Sequence, residues 1–257
     1  MRKLGGIVFF AVFGAEVLFG TSLDSLEQKA VRGTIEERTE ALAALAGRYQ
    51  DKDSAKCFHY VRSLYQLADR YHNADAMAQA YLLEGHFYKK RGNYQQAAEK
   101  IQSAIALLES KSGGKLLGKA YNDLGAVLVD RGYYSEAARY LSMALRVFDQ
   151  HRDSFQMSKV LLNLGLVFYY QKNYPFALQY YQKALNIRQA LNDSNGMALL
   201  WNNIGIVHYC QGYKREAVAS FKRALEIYRK RDLRRLMSLP LFNIGEIYFE
   251  DRRYDSA

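Results

Sequence analysis

A chain of 257 residues with 49% hydrophobic and 24% charged side chains holds enough apolar material for one or two cored domains without a disulfide or metal staple. That balance excludes both a disordered tail and a polytopic membrane protein. Only two prolines stand beside 21 tyrosines, so helices can run uninterrupted, and 36 Lys plus Arg against 26 Asp plus Glu, a formal +10, favours acidic partners without naming one.

Met1-Arg2-Lys3 opens the chain, Leu4 to Phe19 form an apolar run, and Gly20, Thr21 and Ser22 are small. This order reads as an export signal over residues 1–22. The run falls short of the roughly 20 apolar residues a bilayer span needs and contains Glu16, which favours cleavage before Leu23 over retention as an anchor. The expected location is exported, periplasmic or otherwise associated with the cell envelope, and any membrane attachment is expected through this segment alone.

Residues 23–75 carry a degenerate unit. Leu42, Leu45, Ala46 and Tyr49 fall at helical spacing. After the break at Asp51-Lys52-Asp53-Ser54, residues Cys57, Val61, Leu64 and Tyr65 continue it as a second helix. Cys57 and Cys210 lie in separate repeats and read as small buried hydrophobes, not as a disulfide pair.

From residue 76 to 257 the chain repeats itself. Gly85, Gly125, Gly165, Gly205 and Gly245 stand forty residues apart. Four residues before them are Tyr81, Tyr121, Leu161, Trp201 and Leu241, and three after them Tyr88, Leu128, Phe168, His208 and Tyr248. Twelve after each is an alanine, at 97, 137, 177, 217 and 257; then come Ile101, Leu141, Tyr181 and Phe221, and the pairs Ala104-Ile105, Ala144-Leu145, Ala184-Leu185 and Ala224-Leu225. Offsets of 3, 4 and 7 put the large residue, the glycine and the ring on one stripe of a first helix, and the alanine series does the same for a second. Each repeat is therefore a helical hairpin, and the fold class is all-α. Turns such as Arg91-Gly92-Asn93 and Gln211-Gly212-Tyr213 supply the left-handed residue that ends the first helix, while Asp153-Ser154, Asn192-Asp193-Ser194 and Lys111-Ser112-Gly113-Gly114 separate the repeats. The last register reaches only Ala257, so Ile244, Ile247 and Tyr248 are expected to be uncovered on the second-helix side. Either a longer array or another chain, a second copy included, would supply the cover.

The pattern resembles the tetratricopeptide repeat, whose Trp-x-x-Leu-Gly-x-x-Tyr, Ala, aromatic, Ala-Leu signature is matched best by Trp201, Ile204, Gly205, Ala217, Phe221, Ala224 and Leu225. His208 replaces the usual tyrosine, and Glu84 replaces the usual apolar residue before Gly85. The forty-residue unit is similar to the long-helix arrays of kinesin light chains and many bacterial regulators. This resemblance implies a right-handed superhelical solenoid of antiparallel helix pairs, with first helices lining a concave face that holds extended peptides.

Two residues before each repeat glycine stand Leu83, Asp123, Asn163, Asn203 and Asn243. Recurring amides can offer a ladder to a passing backbone. In the relatives that the resemblance names, matching asparagines clamp peptide main chain, which implies that role for Asn163, Asn203 and Asn243; Asp123 departs from the pattern and could attract a cation. Lys89, Val129, Tyr169, Tyr209 and Phe249 follow four residues after the glycines, so Tyr169 and Tyr209 become candidate walls for apolar side chains, and Lys119 and Lys159 candidate partners for carboxylates. The alternative is that the asparagines bond within the array and the rings pack.

Catalytic chemistry has no support. Gly113-Gly114-Lys115-Leu116-Leu117-Gly118-Lys119 fits G-x4-G-K, but Ala120 replaces the Ser or Thr that would bind magnesium and no strand precedes it. Histidines 59, 72, 86, 151 and 208 show no zinc spacing, and no G-x-S-x-G elbow occurs. The basic run from Arg229 to Arg235 reads first as a solvated helix end, with an anionic partner as the sharper alternative. The expectation is a non-enzymatic protein-binding scaffold without cofactor, metal or nucleic acid, whose partner is a protein or peptide. A sensor or regulatory domain of a longer protein is the alternative.

Overall fold

The structure is a computed structural model that describes residues 22–110 and 114–255. The export signal, save Ser22, lies outside the described residues, as do Lys111, Ser112, Gly113 and Ala257 of the patterns above. The described residues form twelve α-helices: α1 Leu23–Arg32, α2 Ile35–Tyr49, α3 Ser54–Arg70, α4 Ala74–Lys90, α5 Tyr94–Glu109, α6 Gly114–Asp130, α7 Tyr134–Gln150, α8 Ser154–Tyr170, α9 Tyr174–Ala190, α10 Ser194–Cys210, α11 Lys214–Lys230 and α12 Arg234–Asp255. They group into two compact units that divide between Arg152 and Asp153. The chain is an all-α helical repeat protein.

In the N-terminal unit α4 packs on α5 and α6 on α7 as the first and second helices of two hairpins; in the C-terminal unit α8 packs on α9 and α10 on α11 in the same way. The repeat glycines explain the closeness of these seams. A Cβ on Gly85 would lie 2.8 Å from Ile101, on Gly125 2.7 Å from Leu141, and on Gly205 2.6 Å from Phe221. At Gly165 the ring of Tyr181 occupies the same place. Each glycine thus receives the ring or aliphatic side chain sixteen residues later, and those four partners are all 0% exposed.

The turns repeat as closely as the seams. Left-handed residues stand at 72, 92, 132, 152, 172, 192, 212 and 232, twenty residues apart save for the step across 112, which lies outside the described residues. At Gly92 the turn amide reaches Lys89 O at 2.9 Å and the next, Asn93, reaches back to Tyr88 O at 3.0 Å, the paired bonds of a Schellman motif. Gly132 with Tyr133 and Gly212 with Tyr213 repeat it. Entry into several helices is capped from the side chain: Asn73 accepts from Ala76 N, Asp153 from Gln156 N and Asp193 from Gly196 N. Arg188 then pairs with Asp193, which ties the end of α9 to the cap of α10.

Glu84 proves a structural hub. Although nearly buried, its carboxylate accepts from Tyr65 Oη of α3 at 2.6 Å and faces Lys100 Nζ of α5 at 3.0 Å, so an acid replaces apolar packing with two partners. At the other end one expectation is corrected. Ile247 is 1% exposed, covered by Ile206, Ala217 and Phe221, and Ile244 packs against the same cluster. Both point back into the unit, whereas Leu241 and Tyr248, at 52% and 51%, carry the exposed face.

Candidate functional site: the layer of first helices

Within each unit, first helices of neighbouring repeats are joined by polar rungs. In the N-terminal unit, Lys89 Nζ of α4 lies 2.9 Å from Asp130 Oδ2 of α6, and His86 Nε2 lies 2.7 Å from Asp123 Oδ2. In the C-terminal unit, Tyr169 of α8 and Cys210 of α10 meet at 3.5 Å. Tyr209 of α10 donates to Glu250 Oε1 of α12 at 2.6 Å, and Asn243 Nδ2 donates to Asn202 Oδ1 at 3.2 Å. Four of these rungs span 41 residues, one repeat plus one, which is the step between adjacent helices of the layer, and His86–Asp123 spans 37.

The predicted site residues take these places. Asp123 is 6% exposed and sits among cations, not on an open surface. Burial pushes its carboxyl up, but His86, with Lys119 and Lys89 behind it, outweighs that and holds it below the ordinary carboxylate value. The carboxylate of Asp123 is thus engaged by an imidazole of the same unit. Lys119 is half-buried on α6 and acts on Asp123 through its charge. Burial lowers the ammonium of Lys89, against the pull of Asp130.

On the C-terminal unit Asn163, Asn203 and Asn243 are 9%, 0% and 0% exposed, so they lie within the layer and not on its open surface. Asn202, also buried, is the member that sequence reasoning missed, because it falls one position off the ladder. The rung leaves polar capacity unused. Both side-chain atoms of Asn203, the Nδ2 of Asn202 and the Oδ1 of Asn243 have no hydrogen-bond partner among the described residues. Tyr169 and Tyr209 are half-buried, with hydroxyl ionisation pushed up first by burial and then by Cys210 and Glu250 respectively. Lys159 is half-buried, its Nζ 4.7 Å from the centre of the Phe155 ring. Gly114, Lys115, Gly118 and Lys119 are all part of α6, a helix and not a loop that could cradle phosphate.

Residues 156–230, from α8 to the end of α11, match the tetratricopeptide repeat family. These are tetratricopeptide repeats. The tetratricopeptide fold is shared with solved structures at low identity. BtubC (BKLC) of P. vanneervenii is 23% identical with a TM-score of 0.66, over 82% of this chain and 93% of that one. A Rap protein complexed with Competence and Sporulation Factor is 15% identical with a TM-score of 0.68, over 91% and 70%. A STAND protein with a tetratricopeptide repeat sensor, PH0952 of Pyrococcus horikoshii, is 14% identical with a TM-score of 0.61, over 90% and 39%. No curated protein sequence matches the chain.

Proposed function

We propose that this protein is a non-catalytic scaffold of the cell envelope that holds an extended segment of a partner protein against its first helices. The carrying observation is the amide cluster of Asn202, Asn203 and Asn243, four of whose side-chain atoms lack partners. A buried polar atom left unpaired costs about 1–3 kcal/mol, so a ligand backbone that reaches these atoms as α10 and α12 part gains what the closed layer forgoes. Alternating carbonyl and amide groups of an extended main chain suit amides that both donate and accept. The similar Rap protein was solved with a bound factor, which supports reading the fold as a binding platform. Met1-Arg2-Lys3 and the apolar run Leu4 to Phe19 support export.

A displayed library of unstructured peptides tests the reading. Selected binders should lose about tenfold in affinity on N-methylation of single amides, and a comparable amount on Asn203→Ala with Asn243→Ala at unchanged helicity. Binders indifferent to both changes would overturn it. Mass spectrometry of the mature N-terminus, with cell fractionation, tests the export step. The second reading is a sensor or regulatory domain of a longer protein, favoured by the likeness to PH0952, of which this chain spans 39%.

A further inference from the structure

In the N-terminal unit a groove runs between α1 and α3 over α2, and it encloses about 460 Å³, within the range of about 300–1,000 Å³ that small-molecule sites occupy. Both walls and the floor are described helices. One stripe of α3 follows its length: Tyr60, Ser63, Leu67 and Arg70 fall at offsets of 3, 7 and 10, a reach of about 15 Å. Ala30 and Val31 of α1 form the facing wall, and Leu42 of α2 lies beneath. Leu42 and Leu67 belong to the apolar cluster that seats α2 on α3, so the floor is fixed, whereas Val31, 74% exposed, leaves its apolar surface to the groove. The two ends differ in charge. Arg38, in the first turn of α2, and Arg70, in the last turn of α3, stand at one end because these helices run antiparallel. Arg38 is anchored, its Nε donating to Ala30 O at 3.2 Å, and Arg70 lies 5.7 Å from the ring centre of Tyr71. Neither guanidinium pairs with a carboxylate among the described residues. At the other end Tyr60, in ring contact with His59, donates to Glu27 Oε1 at 3.3 Å and ties α3 to α1.

We propose that this groove is a binding site for a small amphipathic organic acid, a medium-chain monocarboxylate. Arg38 and Arg70 take the carboxylate, with N–H donors that no acid of the chain engages. Ala30, Val31, Leu42 and Leu67 cover the hydrocarbon chain, which loses its contact with water. Glu27 at the far end sets the specificity, since it repels a second carboxylate and so rejects diacids of the same length. The site lies in the N-terminal unit and owes nothing to the amide cluster of the C-terminal one, so each can fail without the other.

Calorimetric titration of the full chain with octanoate tests it, with octanol and octanedioate in parallel. Octanoate should bind at a single site about tenfold more tightly than either of the others. Arg70→Gln, at an exposed position, should weaken octanoate about tenfold at unchanged helicity. Should that variant fail to fold, Val31→Trp, which fills the groove from an exposed position, carries the same expectation. Absence of octanoate binding, or indifference to both substitutions, would overturn the site. Octanol bound as tightly as octanoate would reduce the effect to apolar adsorption and overturn it too, as would a preference for octanedioate. A leucine-rich peptide that binds more tightly than octanoate, and loses this on amidation of its C-terminus, would give the groove to a protein terminus and overturn the free acid.

Discussion

Asn243 donates through its amide to the side-chain carbonyl of Asn202, 3.2 Å away and 41 residues back in the chain. The same step joins Tyr209 to Glu250 and Tyr169 to Cys210, so it is a property of how first helices lie beside one another and not of one residue pair. Neighbouring hairpins therefore hold each other by two means: apolar clusters such as Ile206, Phe221 and Ile247, and polar rungs whose chemistry changes from repeat to repeat. Apolar contact alone specifies little about sliding of one helix along another, whereas a directional rung fixes the offset.

Gly205→Leu should lower stability by about 1–3 kcal/mol through overpacking, because Phe221 already lies 2.6 Å from where its Cβ would be. Phe221 is fully buried and hemmed in by Ile206, Ala217 and Ile247, so its ring has no exit. Urea unfolding followed by circular dichroism measures the loss. A variant as stable as the parent would mean that this seam is looser than the glycine register requires.

Asp123 gives the N-terminal unit an acid-sensitive tie. Burial raises its carboxyl, but His86, Lys119 and Lys89 together bring it below its ordinary value of about 3.9. A carboxyl depressed in the folded state stabilises above the unfolded value and loses that contribution as pH falls through the folded one. Urea midpoints should therefore decline as pH drops below about 4, and Asp123→Asn should flatten that decline while lowering stability at neutral pH. An identical acid limb in parent and variant would remove Asp123 from the tie.

The seams were legible in the sequence because they repeat: a glycine and a large residue sixteen positions later recur with one chemistry each time, and the contacts follow from helical spacing alone. The rungs were not legible. Lys89 shares a register position with Tyr169 and Tyr209 but not their type, and the partners Asp130, Cys210 and Glu250 depend on the sideways offset of adjacent helices, which a period of forty does not state. Asn203 and Asn243 were found as a ladder, yet the ladder's bond runs to Asn202, one residue off it. Glu84 stood out as a departure from the apolar pattern, and only the placement of Tyr65 and Lys100 explains how a carboxylate is tolerated there.

Buried and half-buried tyrosines set an alkaline limit. Burial, the leading cause in each case, raises the hydroxyls of Tyr65, Tyr121, Tyr169, Tyr181 and Tyr209, and pushes Tyr228 up to about 12. A group raised in the folded state contributes stability below its unfolded value of about 10, which is lost as pH rises through the folded value. Tyrosinate absorbance should rise in two phases, exposed rings first and these six only with loss of helicity. A single phase completed while the helices persist would contradict the burial.

Lys172 occupies a place that glycine fills in three sister turns. Its φ is +59°, beside +76°, +81° and +84° at Gly92, Gly132 and Gly212, and its amide makes the same bond to the helix end, to Tyr169 O at 2.8 Å. A side chain in the left-handed region costs about 1–2 kcal/mol, against which glycine in the unfolded chain loses about 0.5–1 kcal/mol of entropy on ordering. Lys172→Gly should therefore raise stability by about 0.5–1 kcal/mol, and Gly212→Lys should lower it by a similar amount. Chemical denaturation of the two variants beside the parent reads the signs, and shifts in the same direction would show that the turn's backbone does not govern either one.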